Sequence, residues 1–202
     1  MNINELIRQI QTELNIDIDG KPGPQTWTAI YQYILKNKVK PSLSADIKLD
    51  EVDTRSEENI ELLLPEVKNY ARALVHKANE VGITIKVISG LRTYAEQDAL
   101  YAQGRTKSGE IVTNAKGGYS NHNFAIAFDI GVFEGNKYLA ESAKYKAVGA
   151  MGIDLGLEWG GSWKTIIDQP HFQLRPVWAI DMNSSQMLAE LRKRHAIGKA
   201  IF

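Results

Sequence analysis

The feature of this sequence that most constrains the fold is an apolar run at residues 124–133, interrupted by a single carboxylate, Asp129. A run of this length, rich in β-branched and aromatic residues, predicts a buried strand. A carboxylate inside such a run costs free energy unless it is paired or binds a metal ion. Asp129 is therefore a candidate functional residue, and His122, at the loop end of the same strand, is its candidate partner.

A second acid and histidine pair lies where another strand is predicted to begin. Asp168 precedes His171 by three residues, and Phe172 follows. The two segments together offer two histidines and one aspartate, His122, Asp129 and His171, as ligands of one metal ion. Three protein ligands with a fourth position open for water are typical of catalytic rather than structural zinc. Asp168 would then be free to act as general base and general acid.

The residues alone leave a plainer interpretation open. A histidine near a strand is more often an ordinary packed or surface residue than a ligand, and Asp129 could bond backbone amides at a strand end. We adopt the plain interpretation for His76, within an amphipathic helix, and for His195, in a basic C-terminal segment. Two separate acid and histidine clusters in one short domain favour a metal site for the other two histidines.

Composition narrows the classes of function. The 202 residues include no cysteine, which excludes disulfides, a thiolate nucleophile and a cysteine zinc site. The 24 Lys and Arg balance 24 Asp and Glu, so no net positive charge favours nucleic acid or an anionic membrane. The start lacks the pattern of a signal peptide, and no stretch approaches the roughly 20 apolar residues of a membrane span. We expect a monomer without nucleic-acid or membrane partners, synthesised in the cytoplasm without a signal peptide.

The order of predicted elements indicates an α+β protein with a small antiparallel sheet flanked by helices, because strands and helices mix without regular βαβ alternation. Two helical patterns around a Gly- and Pro-rich turn predict a separate helical domain at residues 1–40. Residues 41–58 are polar and predict a linker. The main domain is predicted at 59–180, and a C-terminal helical segment at 181–202.

Both acid and histidine motifs resemble those of a known family. Four residues match the Ser-x-His-x-x-Gly-x-Ala-x-Asp signature of the D-alanyl-D-alanine carboxypeptidase superfamily, namely Ser120, His122, Ala127 and Asp129. The segment D-Q-P-H-F at 168–172, after W-G-G-S-W at 159–163, is similar to the C-terminal motif of bacteriophage L-alanyl-D-glutamate peptidases, the endolysin branch. The resemblance spans about residues 63–174.

This resemblance implies a zinc peptidase that cleaves the peptide part of bacterial peptidoglycan. It implies that zinc is held by the residues matching His122, Asp129 and His171, and that Asp168 is the general base. The carboxypeptidase branch carries Glu close before a His that is followed by Trp, whereas this chain has Asp168 and Phe172 at those positions. That difference favours cleavage of the L-Ala–D-Glu bond, and hence wall lysis after release from the cell.

The resemblance also implies roles for residues around the metal site. Arg92, in the S-G-L-R-T segment at 89–93, would stabilise the oxyanion of the tetrahedral intermediate. Gln97 and Ser120 are the candidate substrate-binding residues. Ser120 is also expected to support His122 through a hydrogen bond.

Other interpretations remain at this point. One is a D-alanyl-D-alanine carboxypeptidase of the same superfamily. Another is a non-catalytic wall-binding protein that keeps the fold and the metal, although Asp168 beside His171 argues against it because a structural site needs no free base. The last is a structural metal site in an unrelated enzyme.

The sequence departs from the family signature at Ala125, where the family has Gly. Glycine would allow close backbone approach or an unusual backbone angle. Because Ala125 lies within the predicted strand, we expect only a small local adjustment.

The N-terminal segment resembles a second family. Residues 19–27, D-G-K-P-G-P-Q-T-W, follow a helix that contains Gln11 and are similar to the small three-helix peptidoglycan-binding domain. This resemblance implies an accessory module that raises the effective concentration of wall substrate. Its second helix is predicted to have an apolar stripe at Trp27, Ile30, Tyr31 and Ile34. The alternative is a helical cap with a purely structural role.

Overall fold

A computed structural model describes residues 2–38 and 49–202 of the chain. The chain divides into two compact units, Met1–Pro41 and Ser42–Phe202. Within the two described ranges, no helix combines the length and the apolarity needed to cross a membrane.

The N-terminal unit contains α1 (Ile3–Glu13) and α2 (Pro24–Lys38), and its identity as a three-helix module remains a prediction. Its connecting loop is organised by the buried amide of Gln11. Gln11 Nε2 lies 2.7 Å from Asp19 Oδ1 and 3.0 Å from Thr26 Oγ1, and its Oε1 accepts from the Gly20 amide at 2.8 Å. One satisfied polar side chain therefore fixes the turn between the helices.

The three described side chains of the predicted α2 stripe, at positions 27, 30 and 31, are not buried, and the side chain of Ile34 lies outside the described ones. Trp27 is 59% exposed and Tyr31 is 55% exposed, while Ile30 is only partly buried. Helical spacing identified the two aromatic side chains as neighbours, one turn apart, but it could not tell whether they meet a core or solvent.

The second unit is built on a five-stranded antiparallel sheet. The strand order is β1-β2-β5-β4, and β3 pairs with the free part of β2. Its strands are β1 (Thr84–Ser89), β2 (Ala127–Glu134), β3 (Lys137–Leu139), β4 (Glu158–Trp159) and β5 (His171–Gln173). The predicted α+β class with a small antiparallel sheet is confirmed.

Within residues 49–202, five α-helices accompany this sheet, namely α3 (Thr54–Ile60), α4 (Pro65–Glu80), α5 (Tyr94–Ala102), α6 (Lys144–Leu155) and α7 (Ser184–Ala196). The main core joins α3, α4 and α6 to one face of the sheet, where Phe128 and Phe172 stack across β2 and β5. A smaller core places Met187 and Leu191 of α7 against Phe124. The sheet therefore has one helix-covered face.

The start of this unit corrects the predicted linker 41–58. Its first part, residues 41–48, lies outside the described residues, whereas α3 begins at Thr54 and buries Ser56 and Ile60. Ser56 Oγ accepts from the Val87 amide at 2.9 Å, which attaches α3 to β1. Because this short helix is mostly polar and buries few residues, its hydrophobic periodicity is too weak to be recognised from the sequence.

The predicted strand at 124–133 begins later than expected. Residues Asn121–Phe124 form a 3-10 helix, and Ala125 ends it with a left-handed backbone, φ 55°. The prediction of a strand conformation at Ala125 is therefore wrong. The signature glycine matches a position that requires positive φ, which an L-residue adopts at a cost of about 1–2 kcal/mol.

We expect Ala125→Gly to stabilise the protein by about 0.5–1 kcal/mol, because relief of the left-handed strain exceeds the entropy that glycine adds to the unfolded chain. Urea unfolding would measure the change. Ala127→Gly is the matched control, since Ala127 is buried at the start of β2. The control should be destabilising, and equal effects of both substitutions would contradict the prediction.

Candidate metal centre and active site

The site lies on the sheet face opposite the main core. Asp129 on β2 pairs directly with His171 on β5 and with Ser89 on β1. Successive side chains of a strand point to opposite faces. Phe128 and Phe172 therefore enter the core, while the next pair, Asp129 and His171, meets on the open face.

His122 reaches the same point from the 3-10 helix that precedes β2. His122 Nε2 lies 3.2 Å from Asp129 Oδ1 and 3.2 Å from His171 Nδ1, and these last two atoms are also 3.2 Å apart. At the bond lengths of about 2.0–2.1 Å typical of zinc, two ligands of a tetrahedral ion lie about 3.3 Å apart. The three donor atoms therefore have the spacing of one face of a zinc tetrahedron, and together they could hold a metal ion.

In each histidine, the ring nitrogen that points away from the cluster is hydrogen-bonded, which leaves the other nitrogen available to bind a metal ion. His122 Nδ1 lies 2.7 Å from the Gly90 carbonyl oxygen, which can only accept, so Nδ1 carries the proton and Nε2 keeps its lone pair. His171 Nε2 lies 3.0 Å from Gln173 Oε1, which leaves Nδ1 toward the cluster. A Cβ at Gly90 would lie 2.5 Å from the Asn59 carbonyl oxygen, so glycine is needed for this close approach.

The electrostatics of the cluster favour an ionised aspartate. Burial alone would raise the pKa of Asp129, but the charge and hydrogen bonds of His122 and His171 outweigh burial and hold it well below its usual range. Burial likewise would lower the pKa of His171, yet the hydrogen bond and charge of Asp129 raise it overall. A cation is thus favoured at this point of the fold, whether it is a proton or a metal ion.

Arg92 lies beside the cluster, directly after β1. Its Nη2 is 3.8 Å from Asp129 Oδ2 and 3.1 Å from Ser89 Oγ, and its Nη1 donates to Gln97 Oε1 at 2.8 Å. Gln97 is fully buried, and its Nε2 donates to the Ala115 carbonyl at 2.8 Å. The amide of Gln97 therefore holds Arg92 inside the fold, and the substrate-binding role of Gln97 remains a prediction.

Ser120 lines the cavity beside the cluster and is partly exposed. The expected hydrogen bond from Ser120 to His122 is wrong, because Gly90 occupies Nδ1 and the cluster occupies Nε2. The substrate-binding role of Ser120 remains a prediction.

Asp168 lies in the wall of the same cavity as the three donor residues. Its backbone amide donates to the Gly160 carbonyl at 3.1 Å. A Cβ at Gly160 would lie 2.5 Å from the Asp168 carbonyl oxygen and 3.0 Å from His171 Cβ, so glycine allows the two segments to pack this closely. Burial, and then the charge of Asp129, raise the pKa of Asp168, which makes its carboxylate more basic than an exposed one.

The cavity has a volume of about 1110 Å³ and is open to solvent. Its lining includes the exposed apolar and aromatic side chains of Ile111, Tyr119, Trp163 and Ile166. The Trp163 ring lies 5.0 Å from the His171 ring. A cleft of this size, lined by both polar and apolar side chains, is suited to binding a peptide.

Sequence reasoning missed the two residues behind His171. Gln173 on β5 and Glu158 on β4 are cross-strand partners, and Gln173 is buried. The available signal was the strand period, because Gln173 follows His171 by two residues and shares its face. Glu158 could not be found in this way, since its pairing with Gln173 is a tertiary contact.

A small antiparallel sheet that presents a His–Asp–His donor triangle and a nearby free carboxylate defines a metallopeptidase. Comparison with known proteins agrees. Residues 113–174 match the family described as D-alanyl-D-alanine carboxypeptidase, a range that includes the donor triangle and Asp168.

Two curated relatives are similar in sequence. The chain is 39% identical over 126 residues to the peptidoglycan L-alanyl-D-glutamate endopeptidase CwlK of Bacillus subtilis (strain 168), covering 56% of this chain and 74% of CwlK. It is 28% identical over 123 residues to the L-alanyl-D-glutamate peptidase of Listeria phage A118, covering 59% of this chain but only 41% of the phage protein. Among solved structures, the Serratia marcescens L-Ala D-Glu endopeptidase ChiX has a TM-score of 0.45 at 25% identity, covering 64% of this chain and 92% of ChiX.

The extent of the CwlK match establishes the family. The chain belongs to the D-alanyl-D-alanine carboxypeptidase family of peptidases.

We expect Zn²⁺ to raise the Tm of the metal-free protein, because an ion that binds only the folded state stabilises it by about 2.7 kcal/mol at 100 times its Kd. For a chain of this size that is an increase of about 5–10 °C. His122→Ala removes one donor and should abolish the increase. His76→Ala, which changes a histidine on α4 outside the cluster, is the control and should keep it. Equal zinc-induced increases in both variants would contradict the donor triangle.

Proposed function

We propose that this chain is a zinc-dependent peptidoglycan hydrolase that cleaves the L-Ala–D-Glu bond of the stem peptide. The observation that carries the proposal is the pairing, in one cleft, of the donor triangle with the basic carboxylate of Asp168. The names of CwlK and of the phage peptidase specify the same bond, which supports the substrate assignment.

The donor set fits zinc. Two neutral imidazoles and one carboxylate are ordinary ligands of a catalytic zinc ion, and the open side toward the cleft leaves a position for substrate. When bound there, zinc would supply a Lewis acid that makes water more acidic and polarises the scissile carbonyl.

The proton transfers belong to Asp168. It takes a proton from the attacking water and returns it to the leaving amine of D-Glu, as one carboxylate acting first as base and then as acid. Its raised pKa helps the first step, since a carboxylate that is a stronger base accepts the proton of water more readily. Its position in the cavity wall lets it reach a substrate that lies across the donor triangle.

Arg92 stabilises the negative charge that develops on the scissile carbonyl oxygen. Its guanidinium lines the cleft and is held in place by Gln97, Ser89 and the outer oxygen of Asp129. A donor fixed before the reaction stabilises the transition state without a cost for reorganisation.

The N-terminal unit is a wall-binding module in this proposal. Its Gln11-organised turn carries the motif that resembles the peptidoglycan-binding domain, and Trp27 and Tyr31 are exposed one turn apart on α2. Aromatic faces of this kind pack against the apolar faces of sugars and peptides. Tethering to the wall would raise the local concentration of stem peptide at the cleft.

Asp168→Ala should reduce kcat for peptidoglycan digestion by about 10²–10⁴-fold, because the reaction loses its general base. Mass spectrometry of the products should show new L-Ala carboxyl and D-Glu amino termini with the intact enzyme only. The zinc Kd of the variant should stay close to that of the unchanged protein, since Asp168 is not one of the donors.

Two results of this digestion would overturn parts of the proposal. Released D-Ala would make the protein a carboxypeptidase instead of an endopeptidase. Full activity of the Asp168→Ala variant would remove Asp168 from the mechanism.

The double substitution Trp27→Ala with Tyr31→Ala should weaken cosedimentation with insoluble peptidoglycan by about tenfold, because two exposed aromatic contacts are lost. Its kcat on a soluble stem peptide is the internal control and should be unchanged. Unaltered cosedimentation would mean that the N-terminal unit does not bind the wall through this face.

A further inference from the structure

A chain of hydrogen bonds runs from His171 along the open face of the sheet, away from the cleft floor. His171 Nε2 lies 3.0 Å from Gln173 Oε1, and Gln173 Nε2 donates to Glu158 Oε2 at 2.5 Å. Glu158 in turn forms an ion pair with Arg175. Three of these side chains share one face because β4 and β5 pair Glu158 with Gln173, and His171 precedes Gln173 by two residues.

The charged end of this chain determines which way the central amide points. An ionised carboxylate only accepts hydrogen bonds, and a guanidinium only donates them. Arg175 is itself held by the carbonyl oxygens of Ala179 and Met182, at 3.0 and 3.1 Å. Glu158 must therefore receive the NH₂ group of Gln173, and the carbonyl oxygen of that amide must face His171.

Asn121, the other neighbour of Gln173, cannot impose this direction. Its Nδ2 lies 2.5 Å from Gln173 Oε1, and its own Oδ1 is buried with no hydrogen-bond partner in the described part of the chain. An amide can be rotated to offer either an oxygen or an NH₂ group to the same neighbour. If Gln173 reversed, Asn121 could reverse with it, whereas Glu158 could not.

From this geometry we propose that Glu158, acting through Gln173, is a positioning residue that selects the His171 tautomer able to bind metal. A carbonyl oxygen facing Nε2 requires the proton to be on Nε2, which leaves the Nδ1 lone pair directed at the donor triangle. The inference rests on the proposed zinc site but is independent of the bond that the enzyme cleaves.

Loss of the carboxylate at position 158 should weaken metal binding. With a neutral amide there, Gln173 can reverse and place its NH₂ group against His171 Nε2, which favours a proton on Nδ1, the metal-binding nitrogen. Partners of metal-binding histidines typically contribute 10–100-fold to metal affinity. We expect a decrease of this size in the zinc affinity of Glu158→Gln.

The tautomer can be measured directly in the unchanged protein. With ¹⁵N-labelled histidine and no metal, at a pH where the imidazoles are neutral, the nitrogen shifts of His171 should report a proton on Nε2. In Glu158→Gln the same shifts should move toward a mixture of the two tautomers. A proton on Nδ1 of His171 in the unchanged protein would overturn the proposal whether or not any variant folds.

Zinc affinity, measured by competition with a chelator, is the second readout. Glu190→Gln is the matched control, because Glu190 forms a comparable ion pair with Arg194 on α7 and does not line the cleft. Its zinc Kd should equal that of the unchanged protein. An unchanged zinc Kd in Glu158→Gln as well would overturn the proposal.

A double variant separates positioning from general damage. Gln173→Glu alone places two carboxylates side by side and should lower stability. Combined with Glu158→Gln, the new carboxylate at 173 accepts from His171 Nε2, and the new amide at 158 donates to it while accepting from Arg175. The double variant should therefore recover both the tautomer and most of the zinc affinity, and failure to recover them in a folded protein would contradict the role of Glu158.

These readouts are separate from the proposed activity. A protein that bound zinc as expected but cleaved no peptidoglycan would contradict the proposed function and leave the positioning role intact.

Discussion

The rest of the site depends on the partly buried carboxylate of Asp129 and its contacts. A charged group on a central strand is stable only if the fold supplies compensating cations and donors around it. Here two histidines and an arginine converge from three segments that are distant in sequence. The two histidines lower the pKa of Asp129, and Asp129 in turn raises the pKa of His171. The fold thus maintains a place that favours a cation.

The sequence was sufficient for the components of this cluster but not for their arrangement. An aspartate in an apolar run is an anomaly that one sequence shows plainly, and so Asp129 and His122 could be identified from it. Strand register, which places His171 directly opposite Asp129, is a long-range property that no local pattern reports. The support that Gln97 gives to Arg92 could not be predicted for the same reason, because the direction in which a polar helix residue points depends on packing.

The conformation just before β2 was not predicted, because the same apolar pattern is compatible with a strand and with a helical turn. The apolar run starts at Phe124, before β2, yet Phe124 ends a 3-10 helix that is closed by the left-handed Ala125. This turn brings His122 back over the strand it precedes, which a continuous strand could not do. The signature glycine of the family was therefore the better guide to geometry than the apolar run, and alanine retains that geometry at the cost of strain.

One face of the sheet packs into the core, and the other face carries the residues of the metal site. On the helix-covered face, Phe128 and Phe172 fill the core, and their positions tolerate no polar group. On the open face, the period of two places His171, Gln173 and Glu158 in one connected row that ends at Arg175. Each strand therefore orients a donor while its neighbouring residue anchors that strand to the core. Because the anchors are packed to near-crystalline density, small displacements of the donors are resisted, and the 3.2 Å spacing of the triangle is a property of the whole sheet rather than of the three ligands alone.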